Sequence, residues 1–487
     1  MVVKIFRTAC VVALLLGCRF AVTSDFWRTH SAHDQVMRKP AAVAYCTLSS
    51  PEDDCKEDTC NCGTTFSNFM LGDTNPWQRT ASGFRSGTGT PARITWSIVP
   101  DGTTIPGGGA GSSGPSVLNA FMSSAFTFGV TGEALIEQSF NRWGELSGVT
   151  FVRESNDDGS SFSNSTFNGV LGVRGDIRIG GQVLDGPGST LAFNFFPNAG
   201  GDMVLDTSEF NFFRSPNANS RAFRNVIMHE LGHAIGLNHV DSSSDRLLLE
   251  PSINLSFDGP QLDEVRAVQF IFGDAFEETN NGLGNGTVAR ATDLGSISPG
   301  DTLAIGTDAD VPTQTISSAA TDFVSISSDD DVDVYSFTVT EVSNLDITLT
   351  PHGGVFAQGA GTFDADSRVD LALSVIDSNG QSVLASSDQS GLGGTETVSS
   401  IPLEPGTYFT QITGVQDTIQ LYSLELTAAE TPVLKGDVDL NGVVNFFDVA
   451  PFILVLQNGF QAEADVDCNG SLDFGDIPVF IAILQDL

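Results

Sequence analysis

The sequence predicts a multidomain chain: an α+β domain, then an all-β sandwich, then a small α-helical repeat domain. Its 487 residues are too many for one hydrophobic core. After Gly273 a stretch rich in Gly and Asn, "GDAFEETNNGLGNGT", separates mixed helical and strand patterns from a run of short alternating strands. The last fifty residues contain an internal repeat, in which 436–453 recurs as 464–481. These observations together set the order of the three domains.

The chain is strongly acidic, with a formal net charge of -38 and a pI near 4.1. Such a charge argues against a nucleic-acid partner, because phosphates would be repelled. It fits calcium-binding loops, although solubility alone would also account for an acidic surface. No nucleic-acid function is therefore expected.

Residues 1–24 have the pattern of an export signal. Lys4 and Arg7 precede the apolar run "ACVVALLLGC", which is about half as long as a membrane span. Cleavage is expected near Ser24. Alternatively, the "LLGC" that ends at Cys18 resembles a bacterial lipobox, which would anchor the chain by a lipid. We expect a secreted, extracellular or cell-surface protein with no transmembrane segment.

Residues 25–75 are predicted to be a Cys-rich lead-in or propeptide of irregular structure. Four cysteines fall within seventeen residues there: Cys46, Cys55, Cys60 and Cys62. Their spacing is not that of a zinc ribbon, and an exported chain meets an oxidising compartment. Two disulfides are therefore expected among the four, and Cys468 is left without an obvious mate.

Residues 76–274 are predicted to form the α+β domain. The stretch that begins at Arg93, "RITWSIVP", alternates as a strand does, and 131–146 places its apolar residues on one helical face. A second helix is expected from near Arg224 to around Gly236. The most informative residues of the chain lie on and just after that helix.

Three of the six histidines lie in "HELGHAIGLNH". His229 and His233 are four residues apart, so on a helix they face the same way, with Glu230 beside them. Two imidazoles at this spacing can bind zinc while the glutamate acts on a water. Gly236 can let the chain leave the helix through a left-handed conformation. His239 can then return as a third ligand, which leaves the fourth zinc position open.

This stretch resembles the metzincin signature H-E-x-x-H-x-x-G-x-x-H. The closest branch is similar to the matrixins, because 189–210 and 261–273 are similar to the segments on either side of the matrixin zinc helix. The resemblance covers roughly residues 90 to 274. It implies a five-stranded sheet, three helices and a cleft that crosses the zinc. It also implies hydrolysis of peptide bonds by zinc-activated water, with Glu230 as general base and substrate added to an edge strand.

The sequence departs from the matrixin pattern at two places. Leu249 stands where metzincins have a methionine beneath the zinc, and leucine can fill a similar apolar volume. Phe193 and Val204 stand where matrixins have histidine ligands of a structural zinc, so that second zinc is expected to be absent. The family's calcium loop is better matched. Its candidate ligands are Asp185, Gly186, Gly188, Asp206 and Glu209.

Residues 288–430 are predicted to form the all-β sandwich. Three segments resemble the bacterial prepeptidase C-terminal type of domain: 329–339, 370–383 and 403–414. The "DSNG" at 377–380 predicts a hairpin turn. The domain is expected either to attach substrate or to act as a passive spacer.

Residues 433–487 contain two acidic loops with oxygen ligands at calcium-loop spacing. The candidate ligands are Asp437, Asp439, Asn441, Asn445 and Asp448 in the first copy, and Asp465, Asp467, Asn469, Asp473 and Asp476 in the second. A final Asp and a single helix per loop resemble a dockerin pair, which implies a cohesin-type partner. A calcium-stabilised tail without a partner is the alternative.

The function that these patterns favour is that of a secreted zinc-dependent metalloendopeptidase acting on a protein or peptide substrate, with zinc and calcium as cofactors. A catalytically weak metzincin-fold binding or scaffold protein of a surface assembly is the alternative. The missing methionine favours the alternative slightly, whereas the complete set of His229, Glu230, His233 and His239 opposes it.

Overall fold

The structure is a computed structural model. It describes residues 43–47, 76–85, 87–107, 112–127, 129–162, 169–240, 242, 246–358, 361–430, 434–440 and 443–485. Several predictions concern residues outside these ranges: the signal segment 1–24, the lipobox Cys18, the cysteines Cys55, Cys60 and Cys62, and the loop ligand Asn441. Within the described ranges, no helix is both long and apolar enough to cross a bilayer.

The first domain is built on a six-stranded sheet. Its strands are β1 (Val43–Thr47), β2 (Ala92–Ile98), β3 (Val149–Arg153), β4 (Ile177–Gln182), β5 (Thr190–Phe195) and β6 (Met203–Asp206). The spatial order is β1-β5-β6-β4-β2-β3. Strands β6, β4, β2 and β3 run parallel, whereas β5 is antiparallel to β6 and β1 is antiparallel to β5. Five strands come from the matrixin-like segment, as the resemblance implies.

The sixth strand corrects one prediction. The lead-in was expected to be irregular, yet β1 lies in it and pairs with β5 over Val43 to Thr47. Because β5 is the outer strand of the matrixin-like part of the sheet, its exposed backbone groups offer a template for one more strand. The lead-in is therefore part of the sheet.

In the described part of the domain, four helices of eight or more residues accompany this sheet: α1 (Leu118–Ala125), α2 (Gly132–Glu145), α3 (Arg221–Ala234) and α4 (Leu262–Phe272). The helix α2 starts at an N-cap, where the Thr131 side chain accepts a hydrogen bond from the Ala134 amide. It packs on the sheet through Phe140, whose ring stacks on Trp96 at 4.4 Å between centroids. The indole of Trp143 donates to the carbonyl of Met228 at 3.0 Å, which fixes α2 against α3.

The second domain is a β-sandwich. Its strands are β7 (Thr292–Ile297), β8 (Thr302–Ile305), β9 (Val324–Ile326), β10 (Val332–Val339), β11 (Ser343–His352), β12 (Val355–Gln358), β13 (Gly361–Asp364), β14 (Leu371–Ile376), β15 (Val383–Ser387), β16 (Glu396–Leu403), β17 (Gly406–Gly414) and β18 (Gln420–Glu430). One sheet has the order β7-β10-β17-β14-β15 and the other β8-β18-β11-β16, with β9 also paired to β18. The predicted hairpin at 377–380 joins β14 to β15.

The sandwich lies directly on the first domain. The guanidinium of Arg142 in α2 donates to the carbonyl of Ala320 at 2.7 Å. The side-chain amide of Gln269 in α4 donates to the carbonyl of Phe323 at 3.2 Å. One apolar cluster takes residues from both domains, including Leu262. The junction is therefore a packed interface, to which the segment between α4 and β10 contributes Ala320 and Phe323.

The C-terminal part contains α5 (Val449–Asn458) and α6 (Asp476–Gln485), one after each acidic loop. The rings of Phe452 and Phe480 stack at 4.2 Å between centroids in a small apolar cluster. This pairing relates the two copies of the repeat. Cys468, in the second loop, is an exposed free thiol.

Candidate metal centre and active site

Three histidines converge at the C-terminal end of α3. The Nε2 atoms of His229 and His233 are 3.0 Å apart, and those of His229 and His239 are 3.2 Å apart. In a tetrahedral site with zinc–nitrogen bonds of about 2.0–2.1 Å, two ligand nitrogens are about 3.3 Å apart. The arrangement therefore fits one zinc ion bound by three nitrogens.

Backbone carbonyls orient two of these rings. The Nδ1 atom of His229 lies 2.7 Å from the carbonyl oxygen of Leu248, and that of His233 lies 2.7 Å from the carbonyl oxygen of Leu237. A carbonyl can only accept, so each Nδ1 carries the proton and each Nε2 presents its lone pair to the centre. Burial lowers the pKa of His229 to about 4 and that of His233 well below its usual value. Both rings are therefore held neutral, the form that binds metal.

The turn after α3 brings His239 back to the centre. Gly236 has a φ of 111°, which a side chain would strain. The amide of Leu237 donates to the carbonyl of Gly232 at 2.9 Å, and the amide of Gly236 donates to the carbonyl of His233 at 3.0 Å, so the helix closes with a Schellman-type pattern. This closure reverses the chain within three residues of the last helical ligand.

Leu249 packs against α3 at Gly232, where the metzincin resemblance places the residue beneath the zinc. A Cβ added at Gly232 would lie 2.7 Å from a methyl carbon of Leu249. The carbonyl of Leu249 accepts from the amide of Val240 at 3.0 Å, which ties the floor to the segment after His239. The leucine thus occupies the position expected for the family's methionine.

Glu230 lies beside His229 and is fully buried. No described residue gives either of its carboxylate oxygens a well-formed hydrogen bond. Burial raises the pKa of Glu230 well above its usual value, and the nearby backbone amide of Cys46 opposes that rise. A desolvated carboxyl group without fixed partners, next to a metal site, is suited to take up and release a proton.

Cys46 was missed as a site residue. Its sulfur lies within 4.8 Å of a ring nitrogen of His229 and a carboxylate oxygen of Glu230. It is a buried free thiol, so the prediction of two disulfides among the four clustered cysteines is wrong where it includes Cys46. Counting cysteines could not reveal that Cys46 lies in a strand, where it is paired with β5 and buried. The apolar run "AVAYCT" was the only sequence signal of that strand.

Strand β1 occupies the edge along which an extended peptide would add. It pairs antiparallel with β5, with Ala44 opposite Asn194 and Cys46 opposite Ala192. Backbone pairing of this kind is how many sheet edges bind peptides. The chain's own segment therefore covers the outer edge of β5.

The candidate calcium loop of the first domain is assembled by backbone hydrogen bonds. Asp206 accepts from the amide of Ser208 at 2.7 Å, and Asp185 accepts from the Thr190 hydroxyl at 2.6 Å. Glu209 accepts from the amide of Gly188. Gly186 and Gly188 have φ values of 93° and 101°. The loop brings the predicted ligands near one another, and calcium binding there stays a prediction.

Phe193 and Val204 are paired across β5 and β6 and are both fully buried. They belong to an apolar cluster that also contains Phe195 and Leu184. The positions of the family's second zinc ligands are thus used here for packing.

A family model described as Matrixin matches residues 129–273, and one described as Bacterial pre-peptidase C-terminal domain matches residues 331–414. The chain contains a matrixin domain. A bacterial pre-peptidase C-terminal domain follows it. The metzincin resemblance and the resemblance to the bacterial prepeptidase C-terminal type are thereby confirmed, whereas the dockerin-like repeat stays a prediction.

Among curated relatives, human Matrix metalloproteinase-17 is 39% identical over 92 residues, which cover 17% of this chain and 15% of that protein. Interstitial collagenase of Sus scrofa is 35% identical over 144 residues, which cover 28% of this chain and 27% of that protein. The matched part is thus less than a third of each relative. Among solved structures, the pre-peptidase C-terminal domain of a Bacillus anthracis collagenase is 16% identical, with a TM-score of 0.18, and covers 28% of this chain and 96% of that one.

A chain that begins at Pro76 should bind a zinc-directed peptide hydroxamate more tightly than the full chain, because β1 no longer covers β5. If β1 fills the cleft in about 90% of molecules, the apparent affinity of the full chain is about tenfold weaker. Titration calorimetry of the zinc-loaded chains measures this ratio.

The matched control is a chain that begins at Ala41, which keeps β1 and should bind as weakly as the full chain. Equal affinity of all three chains would show that β1 does not compete for the cleft.

Proposed function

We propose that this chain is a secreted zinc-dependent metalloendopeptidase that hydrolyses peptide bonds in a protein or peptide substrate. The observation that carries the proposal is the convergence of three histidine nitrogens beside the buried, unpartnered carboxylate of Glu230. Three histidine nitrogens form a ligand set that zinc prefers, and three protein ligands leave a position open for catalysis. Export is supported by the signal pattern of residues 1–24.

Each residue has a defined role in this proposal. Zinc, when bound, supplies a Lewis acid that lowers the pKa of water and polarises the substrate carbonyl. Glu230 accepts a proton from the attacking water and delivers it to the leaving amine. The Nδ1–carbonyl hydrogen bonds of His229 and His233 hold both rings still during the reaction.

The edge of β5 is proposed to bind the substrate backbone. The pairing of β1 supports this role, since it is an extended segment whose register with β5 runs past the metal centre. The Cys46 thiol beside His229 adds a soft ligand that competes with water for zinc. The full chain is therefore proposed to be a latent form that becomes active when β1 leaves the cleft.

The C-terminal repeat is proposed to be a dockerin-like calcium-binding domain. Carboxylate oxygens of Asp437, Asp439 and Asp448 lie within 4.8 Å of one another, and so do those of Asp465, Asp467 and Asp476. In both copies the last Asp also accepts from the start of its loop: Asp448 from the Val438 amide at 2.7 Å, and Asp476 from the Asp467 amide at 3.2 Å.

Within each loop, a polar side chain between these acids accepts a hydrogen bond from the backbone at the start of the helix that follows. Asn445 accepts from the Phe447 amide at 2.7 Å, and Asp473 accepts from the Gly475 amide at 2.6 Å. The Asp465 carboxylate likewise accepts from the backbone amide of Asn469 at 3.2 Å. Phe446, Phe447 and Phe474 are more than three-quarters exposed, and such an apolar patch is typical of a protein-binding surface. A cohesin-type module is the proposed partner.

Two observations favour a second function, that of a binding or scaffold protein with weak catalysis. The cleft is filled by β1, and Leu249 replaces the methionine of the family's floor. Neither feature removes a metal ligand or the general base, so we favour the peptidase.

Replacing Glu230 with alanine should abolish peptide hydrolysis and leave zinc bound, because the proton carrier is lost while the three nitrogens remain. General acid–base groups contribute about 10²–10⁴ in rate. Cleavage of a peptide library and elemental zinc analysis of the chain that begins at Pro76 measure both quantities. Glu145→Ala, at an exposed position of α2, is the matched control. Cleavage by Glu230→Ala within a few-fold of that control would refute the assigned role.

Replacing Asp437 and Asp465 together with alanine should lower the number of bound calcium ions by two per chain. Each substitution removes the first carboxylate of a loop whose remaining acids repel one another without an ion. Equilibrium dialysis of the full chain against labelled calcium gives the count. The paired control, Asp388→Ala with Asp417→Ala, removes the same charge from exposed loops of the sandwich. An unchanged count in the Asp437/Asp465 variant would contradict the calcium repeat.

A further inference from the structure

We propose that the β-sandwich is a structural part of the zinc centre. Its loop between β8 and β9 holds Gln261, and Gln261 in turn positions the peptide unit that orients His229. Gln261 is therefore assigned as a positioning residue, which acts through other residues. The inference rests on the proposed zinc site and deepens it, but it does not depend on peptide hydrolysis. It gives the sandwich a role other than attaching substrate or acting as a spacer.

The loop between β8 and β9 lies against the start of α4. The backbone amide of Ile316 donates to Oε1 of Gln261 at 3.0 Å, and both residues are buried. Ile316 also shares an apolar cluster with Leu262 and Val265, which belong to the first turn of α4. Loss of this hydrogen bond would leave a buried polar group unpaired, because water has no ready access to the interface.

Gln261 sets the first turn of α4. It is the N-cap of the helix and forms a capping box with Glu264. Its side chain accepts from the backbone amide of Glu264, and its own amide donates to Oε2 of Glu264 at 2.8 Å. Its side-chain nitrogen donates to the carbonyl oxygens of Gly259 and Pro260 at 2.9 and 3.1 Å. Both polar atoms of the side chain are thus in use, which holds the residue in one conformation.

Glu264 connects the start of α4 to the metal centre. Its Oε1 atom accepts from the amide of Leu249 at 3.2 Å. The carbonyl of Leu248 belongs to the same peptide unit, and its oxygen lies 2.7 Å from Nδ1 of His229. Because a peptide unit is planar, fixing its N–H also fixes the direction of its C=O. Glu264 and His229 therefore hold one peptide unit from opposite sides.

A second part of the sandwich packs into the same core. Phe356 of β12 and Ala365, which follows β13, are buried in the apolar cluster that contains Leu249. The ring of Phe363 in β13 has its centroid 5.3 Å from the guanidinium carbon of Arg266 in α4. Movement of the sandwich away from α4 would therefore open the apolar core to which Leu249 belongs.

Coupling of this kind acts in both directions. If loss of the hydrogen bond between Ile316 and Gln261 weakens zinc binding by some factor, zinc must stabilise that hydrogen bond by the same factor. Groups that orient a metal-bound histidine contribute about 10–100-fold to metal affinity. Gln261 acts through such groups, so we expect an effect at the lower end of this range, about tenfold.

Hydrogen exchange in the full chain measures this coupling without any use of activity. All chains carry Glu230→Ala, so that loading with zinc does not start digestion of the chain. Mass spectrometry follows exchange in the peptide that contains Ile316, in zinc or in chelator. In the chain with no further substitution, zinc should slow exchange of the Ile316 amide about tenfold.

Gln261→Met removes both hydrogen-bonding atoms and keeps a side chain of similar length. Zinc binding, measured by competition with a chromophoric chelator, should weaken about tenfold, and zinc should no longer slow exchange at Ile316.

Gln269→Met is the matched control. Gln269 is also fully buried on α4, and its side chain donates to the sandwich carbonyl of Phe323 at 3.2 Å. This variant loses a junction hydrogen bond that does not involve Glu264. It should keep both the zinc affinity and the effect of zinc on exchange at Ile316, which separates positioning from a general loss of stability.

Glu264→Gln tests the connection itself. A glutamine has one acceptor oxygen, whereas Glu264 accepts from the amides of Gln261 and Leu249 with two. Zinc binding should again weaken about tenfold. Adding Gln261→Met should weaken it little further, because both substitutions break the same connection.

Two results would overturn the proposal. One is zinc that binds to the chain and leaves exchange at Ile316 unchanged. The other is a zinc affinity of the Gln261→Met chain equal to that of the Gln269→Met control. The exchange comparison in the chain with Gln261 intact decides even if Gln261→Met fails to fold. A chain that binds no zinc would overturn the proposed zinc site as well, which distinguishes the two failures.

Discussion

The burial of α3 is the constraint on which the rest of the site depends. Twelve of its fourteen residues are buried, including two histidines and a glutamate that a surface helix would leave in water. Burial keeps the imidazoles neutral and leaves the Glu230 carboxyl desolvated, and both effects are needed for a metal site with a proton carrier. The indole nitrogens of Trp77 and Trp143 donate to helix carbonyls at 2.8 and 3.0 Å. These two hydrogen bonds hold α3 in place.

Local spacing made the centre predictable. The ligands His229 and His233 are fixed by one turn of helix, and the third follows from a glycine turn of three residues, so the sequence alone contains the geometry. The sandwich was predictable for a similar reason, because Tyr335, Phe337 and Val339 alternate with exposed residues and fall in its core as expected. The hairpin at 377–380 follows from its turn residues.

Long-range pairing was not predictable. Strand β1 is held to β5 by backbone hydrogen bonds, which almost any sequence can make, so nothing in residues 43–47 specifies that partner. Cys46 was therefore assigned to a disulfide on cysteine count alone. The acidic cluster of Glu277, Asp331 and Asp333 was missed for a related reason. Glu277 and Asp333 are fifty-six residues apart, and two acids without a motif gain meaning only when the fold brings them together.

The fold keeps two kinds of candidate metal ligands apart. Nitrogen donors meet in one apolar pocket, where desolvation favours neutral ligands. Carboxylates meet at the junction and in the two C-terminal loops, where they repel one another until a cation neutralises them. Part of the large negative charge of the chain is thus concentrated at points where the fold requires an opposite charge.

The central claim is that His229, His233 and His239 bind one zinc ion together. X-ray absorption at the zinc edge, on the full chain loaded with one equivalent of zinc, tests it most directly. The account predicts three imidazole nitrogens at about 2.0–2.1 Å, and two when His239 is replaced with alanine. A zinc spectrum with fewer than three imidazoles, or one that His239→Ala leaves unchanged, would contradict it.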